Sequence, residues 1–332
     1  MTVLVTGGAG YIGSHTVRAL RGVGTDVVVL DSLEFGHREA VLDAALEVGD
    51  IADTATVRRV VEEHDVDAVV HFAAYKAAGE SMDVPERYFE NNVARTARLV
   101  STLHEVGVAK FVFSSTCAVY GTPTTLPVDE DHPTNPESPY GESKRMVEQM
   151  LEWFDRCHDM RFVSLRYFNA AGASPDGRIG EDNPRPLNLV PMAMLAALGQ
   201  VPVLTVNGTD YPTPDGSTIR DYIHVDDLAD AHLRALTYLQ GGGASTTLNV
   251  GTGRGASTIE VVEGTKRVSG IDFATKHGPR RAGDPVKVFA DNQRAREVLQ
   301  WEPRYELDGI LATAWQWHST HPRGYSGDAA TN

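Results

Sequence analysis

The sequence predicts an α/β fold, in which a doubly wound parallel sheet is followed by a smaller C-terminal domain of mixed α/β structure. Short apolar runs typical of buried strands alternate with helical patterns through about the first 170 residues. Most of these runs end in polar or small residues, as strands that lead to a ligand-binding edge do. From about Tyr167 the alternation gives way to proline-rich loops, which indicates a second architecture.

The composition is that of an ordinary globular protein, and it argues against several classes. The chain has 332 residues, 42% of them hydrophobic, which suffices for a large core or two linked cores. A net charge of −15 argues against a nucleic-acid partner, which requires basic patches. Two cysteines are too few for a disulfide framework, and no apolar run is long enough to span a membrane. Because the first strand starts near Thr2, we expect no signal peptide and a cytoplasmic protein.

The first unit consists of a strand, a glycine-rich turn, a helix and a second strand. Its turn reads GGAGYIG from Gly7 to Gly13 and satisfies the GxGxxG spacing from Gly8. A helical pattern follows to Leu20, and the apolar run 27–30 then ends at Asp31. Glycines at this spacing let the backbone approach a pyrophosphate, which the amino end of the helix attracts. The pattern therefore predicts a Rossmann dinucleotide site; a tight turn without a ligand is the alternative.

Asp31 indicates which dinucleotide binds. It stands 18 residues beyond Gly13, where a carboxylate accepts hydrogen bonds from both hydroxyl groups of the adenosine ribose. A 2′-phosphate would be repelled there, and no arginine or lysine follows before Arg38. The sequence therefore favours NAD over NADP.

Further strand and helix patterns continue the same sheet. We predict strands at 46–48, 68–72, 110–113 and 161–166, and helices at 57–63, at 85–104 and around Tyr140. Polar groups follow these strands at Asp50, at Lys76 and at Ser114 to Thr116. Since the carboxyl ends of parallel strands meet at one edge, we expect these groups to face a common ligand, with Lys76 near a cofactor phosphate.

Tyr140 and Lys144 form the candidate acid–base pair. Their spacing, just past a Ser-Pro, is typical of the first turns of a helix and places both side chains on one face. A free phenol has a pKa of about 10. An ammonium about 4 Å away, at an effective dielectric constant of about 20, favours the phenolate by roughly 4 kcal/mol. We therefore expect Lys144 to make Tyr140 a base for a hydroxyl proton; an amphipathic helix with a core tyrosine and a solvated lysine is the alternative.

The C-terminal part follows no regular alternation. The segments 183–191 and 211–216 are rich in proline and turn residues. A helix is predicted at 226–239, capped by Asp226 and ended by the glycines 241–243. We expect a first domain over residues 1–170, to which segments at roughly 220–250 return, and a second over residues 171–325 that closes over the sheet edge.

Seven motifs carry a more specific signal than any single pattern. They are TGGAGYIGSH from Thr6, FSSTCAVYG from Phe113, SPYGESK from Ser138, LRYFNAAGA from Leu165, YPTPDG from Tyr211, RDYIHVDDLADAH from Arg220 and GPRRAGD from Gly278. Together they resemble the extended short-chain dehydrogenase/reductase family, and within it the enzymes that invert C4 of UDP-hexoses. The first and third motifs occur across the superfamily, whereas their combination with the last three is much narrower.

The resemblance implies an NAD-binding Rossmann domain, a second domain that binds a UDP-sugar, and NAD that stays bound as a hydride relay. Tyr140 would take the proton from the sugar O4 while C4 gives hydride to the nicotinamide. Lys144 would hold the nicotinamide ribose and lower the pKa of Tyr140, aided by the cationic nicotinamide ring, and Thr116 would bridge O4 and the phenol. The 4-keto sugar would then turn about its pyrophosphate linkage and receive hydride on the opposite face.

The glycine pattern and the resemblance together give two sets of expected ligand contacts. The cofactor contacts are Gly7, Gly10, Tyr11, Ile12, Gly13, Asp31, Ser32, Leu33, Glu34, Phe35, Gly36, Asp50, Ile51, Phe72, Ala73, Ala74, Tyr75, Lys76, Asn91, Ser114, Tyr140, Lys144 and Phe168. The substrate contacts are Lys76, Thr116, Tyr140, Asn169, Asn188, Leu189, Thr205, Val206, Asn207, Arg220, Arg281, Asp284 and Val288. Two arginines from distant segments suit a diphosphate, because a guanidinium binds its oxygens in pairs.

Two positions depart from the pattern of the relatives. Asn207 stands where they usually carry an aromatic residue near the uracil, so base packing is expected to differ. Val288 stands where hexose-specific relatives carry a tyrosine. Since the smaller side chain leaves space for a 2-acetamido group, we expect UDP-GlcNAc and UDP-GalNAc to be accepted as well.

Three other functions fit parts of the sequence. A nucleotide-sugar 4,6-dehydratase is disfavoured, because its Asp-Glu acid pair is replaced here by Cys117-Ala118. The sequence poorly distinguishes a UDP-pentose 4-epimerase (UDP-xylose to UDP-arabinose) from the hexose enzyme. A non-catalytic NAD-binding protein conflicts with the presence of Tyr140 and Lys144.

The histidines show no metal-ligand spacing together with cysteines or carboxylates, so no metal site is expected. The resemblance also implies a homodimer joined through helices at 86–104 and 141–157.

Overall fold

The computed structural model describes residues 1–183, 186–281 and 284–326. Its strands are β1 (Thr2–Thr6), β2 (Asp26–Asp31), β3 (Ala45–Val48), β4 (Val66–His71), β5 (Lys110–Thr116), β6 (Arg161–Tyr167), β7 (Asn169–Ala171), β8 (Leu204–Asn207), β9 (Ile219–His224), β10 (Thr246–Val250), β11 (Gly255–Ser257), β12 (Thr275–Gly278) and β13 (Lys287–Val288). Its α-helices are α1 (Tyr11–Gly22), α2 (Thr54–Glu63), α3 (Ala78–Asp83), α4 (Pro85–Tyr88), α5 (Arg95–Glu105), α6 (Pro139–His158), α7 (Leu189–Ala197), α8 (Val225–Gln240), α9 (Thr258–Ser269), α10 (Gln293–Leu299) and α11 (Leu307–Thr320). Short 3-10 turns lie at Arg38–Val41 and Cys117–Tyr120, and a π-helical segment at Phe89–Ala94.

Seven strands form one parallel sheet, in the order β10-β6-β5-β4-β1-β2-β3. The order reverses direction between β1 and β4, which is the point where ligands bind in doubly wound folds. The remaining strands form smaller sheets beside it. The predicted fold class, a Rossmann-type parallel sheet with a smaller mixed α/β part, is confirmed.

The central strands of the large sheet are buried on both faces, as a parallel sheet between two helix layers requires, whereas the edge strand β3 is partly exposed. Along β1, Val3 and Val5 face one hydrophobic cluster and Leu4 faces the other. The same alternation places Val70 and Val69 of β4 in these two clusters. Each such side chain contributes about 1.5–3 kcal/mol by leaving water. The two clusters therefore fix both the register and the position of the strand ends that carry the site.

Residues from the C-terminal half also pack on the large sheet. Helix α8 contributes Leu228, Leu236 and Leu239 to one of its hydrophobic clusters, and β10 pairs with β6 at its edge. Trp301 lies in the same cluster, where its indole N–H donates to the Asp227 carbonyl at 2.9 Å. The domain boundary near residue 170 stays a prediction.

The smaller part combines short strands with three helices. Strand β9 pairs with β7, β11 and β13, and β8 pairs with β12. Helices α7, α9 and α11 cover these strands through buried side chains such as Met194, Val261 and Leu311. No helix in the described ranges has the length and apolar character that crossing a membrane requires.

Two local predictions differ from the structure. The predicted helix 85–104 is interrupted by a π-helical segment that contains Asn91 and Asn92. Helix α8 is capped by His224, whose ring accepts from the Asp226 N–H at 3.0 Å, and not by Asp226. The Asp226 carboxylate instead bonds His15 at 2.7 Å and Arg18 at 2.5 Å, because α8 packs against α1.

Candidate active site

The glycine turn after β1 is built so that the backbone itself forms its surface. Gly7 has φ +71°, and a Cβ there would lie 2.6 Å from the Ala73 nitrogen. A Cβ on Gly13 would lie 2.3 Å from the Gly7 carbonyl oxygen. Helix α1 starts after Gly10, and no side chain caps its first N–H groups. The turn therefore presents backbone N–H groups and the positive end of α1 to a ligand.

Asp31 lies at the carboxyl end of β2, next to this turn. Its two oxygens accept hydrogen bonds from the N–H groups of Ala9 and Leu33, both at 2.9 Å. Burial raises the pKa of this carboxyl, and the two backbone bonds oppose the rise. A Cβ on Gly36 would lie 3.0 Å from an Asp31 oxygen, so the loop 32–36 passes close above it. Each carboxylate oxygen retains a lone pair for a hydroxyl donor.

The segment 72–76 after β4 lies against the glycine turn, where the Ala73 backbone is next to Gly7. The Tyr75 N–H donates to the Asn92 side-chain oxygen at 2.9 Å, and the Asn92 amide donates back to the Tyr75 carbonyl at 3.0 Å. The same amide also donates to Ser143 on α6 at 3.0 Å. The prediction named Asn91, which bonds Asn92 at 3.0 Å. Sequence reasoning missed Asn92, although a polar pair inside a helix was the signal.

The other expected cofactor residues line the same edge or lie just behind it. Glu34 accepts from the Tyr75 hydroxyl at 2.9 Å, and the Phe35 ring meets the Tyr75 ring edge-on at 5.9 Å. Lys76 lies 3.6 Å from Glu181, with its ammonium 5.9 Å from the centre of the Tyr11 ring. Asp50 forms a hydrogen bond with Arg95 at 2.5 Å, and the next residue, Ile51, is buried. Ile12 in α1 and Phe72 pack against the core, whereas Ser32 is exposed and Ala74 is half-buried.

Helix α6 brings the candidate acid–base pair to the end of β5. Ser138 caps the helix by accepting from the Gly141 N–H at 3.2 Å, and Pro139 occupies its first turn. Tyr140 and Lys144 are both buried. The Lys144 ammonium donates to the Ser114 carbonyl at 2.9 Å.

Thr116, at the end of the same strand, completes the group. Its hydroxyl accepts from the Ala118 N–H at 3.2 Å and lies close enough to the Tyr140 phenol to oppose the rise of its pKa. Ser114 bonds the Tyr167 hydroxyl at 2.6 Å. The structure therefore brings the three predicted catalytic residues together at one strand end.

Burial acts on both members of this pair. It raises the pKa of Tyr140 well above its ordinary value, with Tyr167 adding to the rise and the nearby Thr116 hydroxyl opposing it. It also lowers the pKa of Lys144 to about 7, against the field of Glu148. The expectation that Lys144, aided by the nicotinamide ring, lowers the pKa of Tyr140 stays a prediction. Because burial disfavours the phenolate, a positive charge besides Lys144 is needed before Tyr140 works as a base.

Four expected substrate residues form a connected polar group in the smaller part. The Arg220 guanidinium pairs with the Asp284 carboxylate, and the Asp284 N–H donates to the Arg281 carbonyl at 3.3 Å. In the amide orientation that satisfies both groups, the Asn207 oxygen accepts two bonds from Arg281, at 3.0 and 3.1 Å. Asn207, where packing against the uracil base is expected to differ from that of the relatives, therefore contacts one of the two arginines through its amide.

The other expected substrate residues lie on β7, α7, β8 and β13. Val288 packs with Phe168, Ala290 and Cys117. The field of Arg220 reaches the Cys117 thiol, whose pKa burial raises to about 12. The remaining residues are Asn169 on β7, Asn188 and Leu189 at the start of α7, and Thr205 and Val206 on β8.

Sequence reasoning also missed a buried polar group behind the catalytic pair. Glu148 accepts from Ser115 at 2.6 Å and from two nitrogens of Arg166, at 2.9 and 2.7 Å. Glu148 follows Lys144 by one helical turn, and this spacing was the available signal. Within the ranges the structure describes, no cluster of three or more His, Cys, Asp or Glu side chains is placed to hold a metal ion.

Known proteins share both the sequence and this fold. Residues 3–251 match the NAD dependent epimerase/dehydratase family. The UDP-glucose 4-epimerase of Streptococcus mutans is 48% identical over 98% of this chain and 99% of its own. The crystal structure of UDP-glucose 4-epimerase from Brucella ovis in complex with NAD is 44% identical, with a TM-score of 0.93 over 95% of this chain and 97% of its own.

A third relative is named for two substrates. The structure of the UDP-Glc/GlcNAc 4-epimerase from Campylobacter jejuni is 41% identical, with a TM-score of 0.85 over 96% of this chain and 99% of its own. These relatives confirm the resemblance found in the sequence. The chain belongs to the NAD dependent epimerase/dehydratase family, in which it groups with the UDP-glucose 4-epimerases.

Proposed function

We propose that the protein interconverts UDP-galactose and UDP-glucose by inverting C4 of the hexose, with NAD as its bound cofactor. The observation that carries this proposal is the Tyr140 phenol, buried beside Thr116 at the strand end where Lys144 is anchored. Relatives 42–49% identical to the chain share the name UDP-glucose 4-epimerase. Function here rests on the site and on these relatives, since the fold alone serves many reactions.

The residues present fit NAD. At Gly7 and Gly13 a side chain would strike backbone atoms, so the turn admits only backbone next to a pyrophosphate. Asp31 is a buried carboxylate with free lone pairs beside that turn, as a ribose diol requires. When bound, NAD supplies the oxidising group that takes the hydrogen of C4 and returns it, and its nicotinamide brings a positive charge.

The chain's own residues move the proton. We assign Tyr140 as the base that accepts the O4 proton and returns it after inversion, with Thr116 bridging O4 and the phenol. Lys144 provides a cation fixed by the Ser114 carbonyl. Because burial holds the pKa of Tyr140 high, the phenolate forms only when cations on both sides outweigh the cost of burial.

The protein binds the nucleotide sugar through its diphosphate, so that the 4-keto sugar can rotate without dissociating from the site. Arg220 and Arg281 come from segments 61 residues apart and are joined through Asp284. We assign both guanidinium groups to the diphosphate oxygens, where paired N–H donors match the anion. The uridine then lies along β8 near Asn207.

The structure offers no acid for a dehydratase at the position of Cys117. Burial raises the pKa of this thiol to about 12, so that it stays protonated and donates poorly at neutral pH. A 4,6-dehydratase must deliver a proton to the leaving hydroxyl at C6, which is normally the task of a carboxylic acid. The relatives' shared name also favours a hexose over a pentose substrate.

The reaction is tested by incubating the purified protein with UDP-galactose and no added NAD. We expect UDP-glucose to form at catalytic rates and to equilibrate with the substrate, with NAD recovered from the denatured protein. Absence of UDP-glucose, even with NAD supplied in excess, contradicts the proposal.

The small side chain of Val288 supports a wider substrate range, and the Campylobacter jejuni relative is named for both UDP-Glc and UDP-GlcNAc. We expect the protein to epimerise UDP-GlcNAc as well. Val288→Tyr should lower turnover of UDP-GlcNAc by about tenfold or more, because the ring fills space for the acetamido group, and should preserve turnover of UDP-glucose within about threefold. Val203→Tyr, at an exposed position of the same part, should change neither rate. An unmodified protein that turns over UDP-glucose but not UDP-GlcNAc refutes the extension.

We also propose that the protein is a cytoplasmic homodimer, in which α4, α5 and α6 of one subunit contact the same helices of the other. On α6, Met146 and Trp153 are spaced seven residues apart on one face and are 38% and 62% exposed. A pair of exposed apolar residues at helical spacing suits a helix–helix contact. Light scattering of the purified protein distinguishes a dimer from a monomer.

A further inference from the structure

The buried carboxylate of Glu148 lies directly behind the acid–base pair. Tyr140, Lys144 and Glu148 follow one another at intervals of four residues along α6, and therefore share one face of the helix. All three side chains are buried. Glu148 is one turn of helix further from the substrate than Lys144, so it cannot itself serve as the base.

One hydrogen bond from Glu148 and one from Lys144 join α6 to β5. The Ser115 hydroxyl donates to Glu148 at 2.6 Å, while the carbonyl of the preceding residue, Ser114, accepts from the Lys144 ammonium at 2.9 Å. Helix α6 and strand β5 are thus joined twice within one peptide unit. A change in the position of Glu148 would move the carbonyl that holds the ammonium.

Arg166 fixes Glu148 from the other side. Its guanidinium donates twice to the carboxylate and once to the Tyr120 hydroxyl at 3.0 Å, and Tyr120 donates to Asn249 on β10 at 2.7 Å. This buried network holds the carboxylate in one place, with charged hydrogen bonds from Arg166.

Lys144 has no carboxylate within ion-pair distance among the described residues, since none of the ion pairs found there includes it. Burial lowers its pKa to about 7, and the field of Glu148 is the cause that opposes this fall. The other titratable groups around the pair are neutral near pH 7. Burial lowers the pKa of His71 on β4 to about 3 and raises those of Tyr167 on β6 and Cys117 to about 12. Arg145, on α6, lies within the field of Glu148 but is directed to Glu142.

We propose that Glu148 is a positioning residue of the epimerase reaction: it fixes the Ser114–Ser115 peptide that holds the Lys144 ammonium, and its charge keeps that ammonium protonated inside the protein. This inference rests on the proposed function, because it assigns Lys144 its charged form during catalysis. Arg166 holds Glu148 in place.

Two variants separate the charge of Glu148 from its position. Glu148→Gln retains one oxygen that can accept from Ser115 and from the Arg166 Nε, and it loses the second Arg166 bond together with the charge. The ammonium should then lose its proton at lower pH. We expect the alkaline limb of the kcat profile to move down by about one to two pH units, with KM for UDP-galactose within about threefold. Ser115→Ala retains the charge and loosens the strand; it should lower kcat by about tenfold and leave the alkaline limb in place.

A spectroscopic measurement and a matched control exclude a purely structural effect. The ultraviolet absorbance of the Tyr140 phenolate, obtained as the difference from Tyr140→Phe with NAD bound, should titrate at higher pH in Glu148→Gln than in the unmodified protein. Asp227→Asn removes another buried carboxylate, which accepts from Arg304 at 3.0 Å and lies on α8. It should lower thermal stability without moving the kcat profile.

An alkaline limb and a phenolate titration unchanged in Glu148→Gln would overturn the proposal. If that variant does not fold, Glu148→Asp serves in its place. Because aspartate keeps the negative charge, the alkaline limb of its kcat profile should stay in place, and a displacement by a full pH unit would equally overturn the proposal. An unmodified protein that produces no UDP-glucose contradicts the proposed function instead, so that the two failures are distinguishable.

Discussion

Tyr140→Phe is expected to lower kcat for UDP-galactose by about 10³-fold, because it removes the group that takes and returns the O4 proton. Phenylalanine preserves the ring that lies 6.5 Å from Tyr88 and the backbone N–H that donates to Ser81 at 3.1 Å. Only the hydroxyl beside Thr116 is lost. NAD content and thermal stability should therefore remain close to those of the unmodified protein, and a rate measured over a pH range checks the prediction.

Tyr88→Phe is the matched control for this experiment. Tyr88 is equally buried and packs on the same helix, but its hydroxyl donates to the Ala77 carbonyl at 2.9 Å and to Glu80 at 2.7 Å. Its removal should change kcat by less than about tenfold. A Tyr140→Phe protein with a rate similar to that of Tyr88→Phe would show that Tyr140 is not the acid–base group.

Gly13→Ala is expected to abolish NAD retention. The added Cβ would lie 2.3 Å from the Gly7 carbonyl oxygen and 2.9 Å from the Gly8 Cα, and both neighbours are backbone atoms that cannot turn away. The turn must therefore open, which removes the backbone N–H groups from the pyrophosphate and costs about 1–3 kcal/mol of folding free energy. NAD extracted from the purified protein should fall to less than about a tenth of the normal content.

Gly22→Ala makes the same substitution in the same helix without a clash. No atom lies within 4 Å of a Cβ at Gly22, and we expect stability to change by less than about 1 kcal/mol with NAD content unaffected. Full NAD content in Gly13→Ala would contradict the assignment of the turn to the pyrophosphate.

Local sequence patterns predicted the large sheet because its strands are short, apolar and separated by helices of regular period. The predicted strands 27–30 and 110–113 correspond to β2 (Asp26–Asp31) and β5 (Lys110–Thr116), and β5 continues three residues further than predicted. The smaller part could not be predicted in the same detail. Its strands β7, β11 and β13 have three residues or fewer, so that no period is visible, and they are defined by pairing with β9.

Local spacing also predicted the main site residues but not the contacts that hold them. Tyr140 and Lys144 share a helix face by spacing alone. The bond from Asn92 to Ser143 joins residues 51 positions apart, and the bond from Tyr120 to Asn249 joins residues 129 positions apart. Such pairs depend on how helices and strands pack, which no local pattern reports. Burial of Tyr140, which raises the pKa of its phenol, is likewise a tertiary property that the spacing does not report.

If Tyr140 is the acid–base group, its buried phenol must meet O4 of a sugar whose diphosphate is bound by two arginines. A crystal structure of the unmodified protein with NAD and UDP-glucose measures this contact. We expect the Tyr140 hydroxyl within about 2.6–3.2 Å of O4, with Arg220 and Arg281 on the diphosphate. A sugar bound with O4 turned away from Tyr140, and a diphosphate that touches neither arginine, would contradict it.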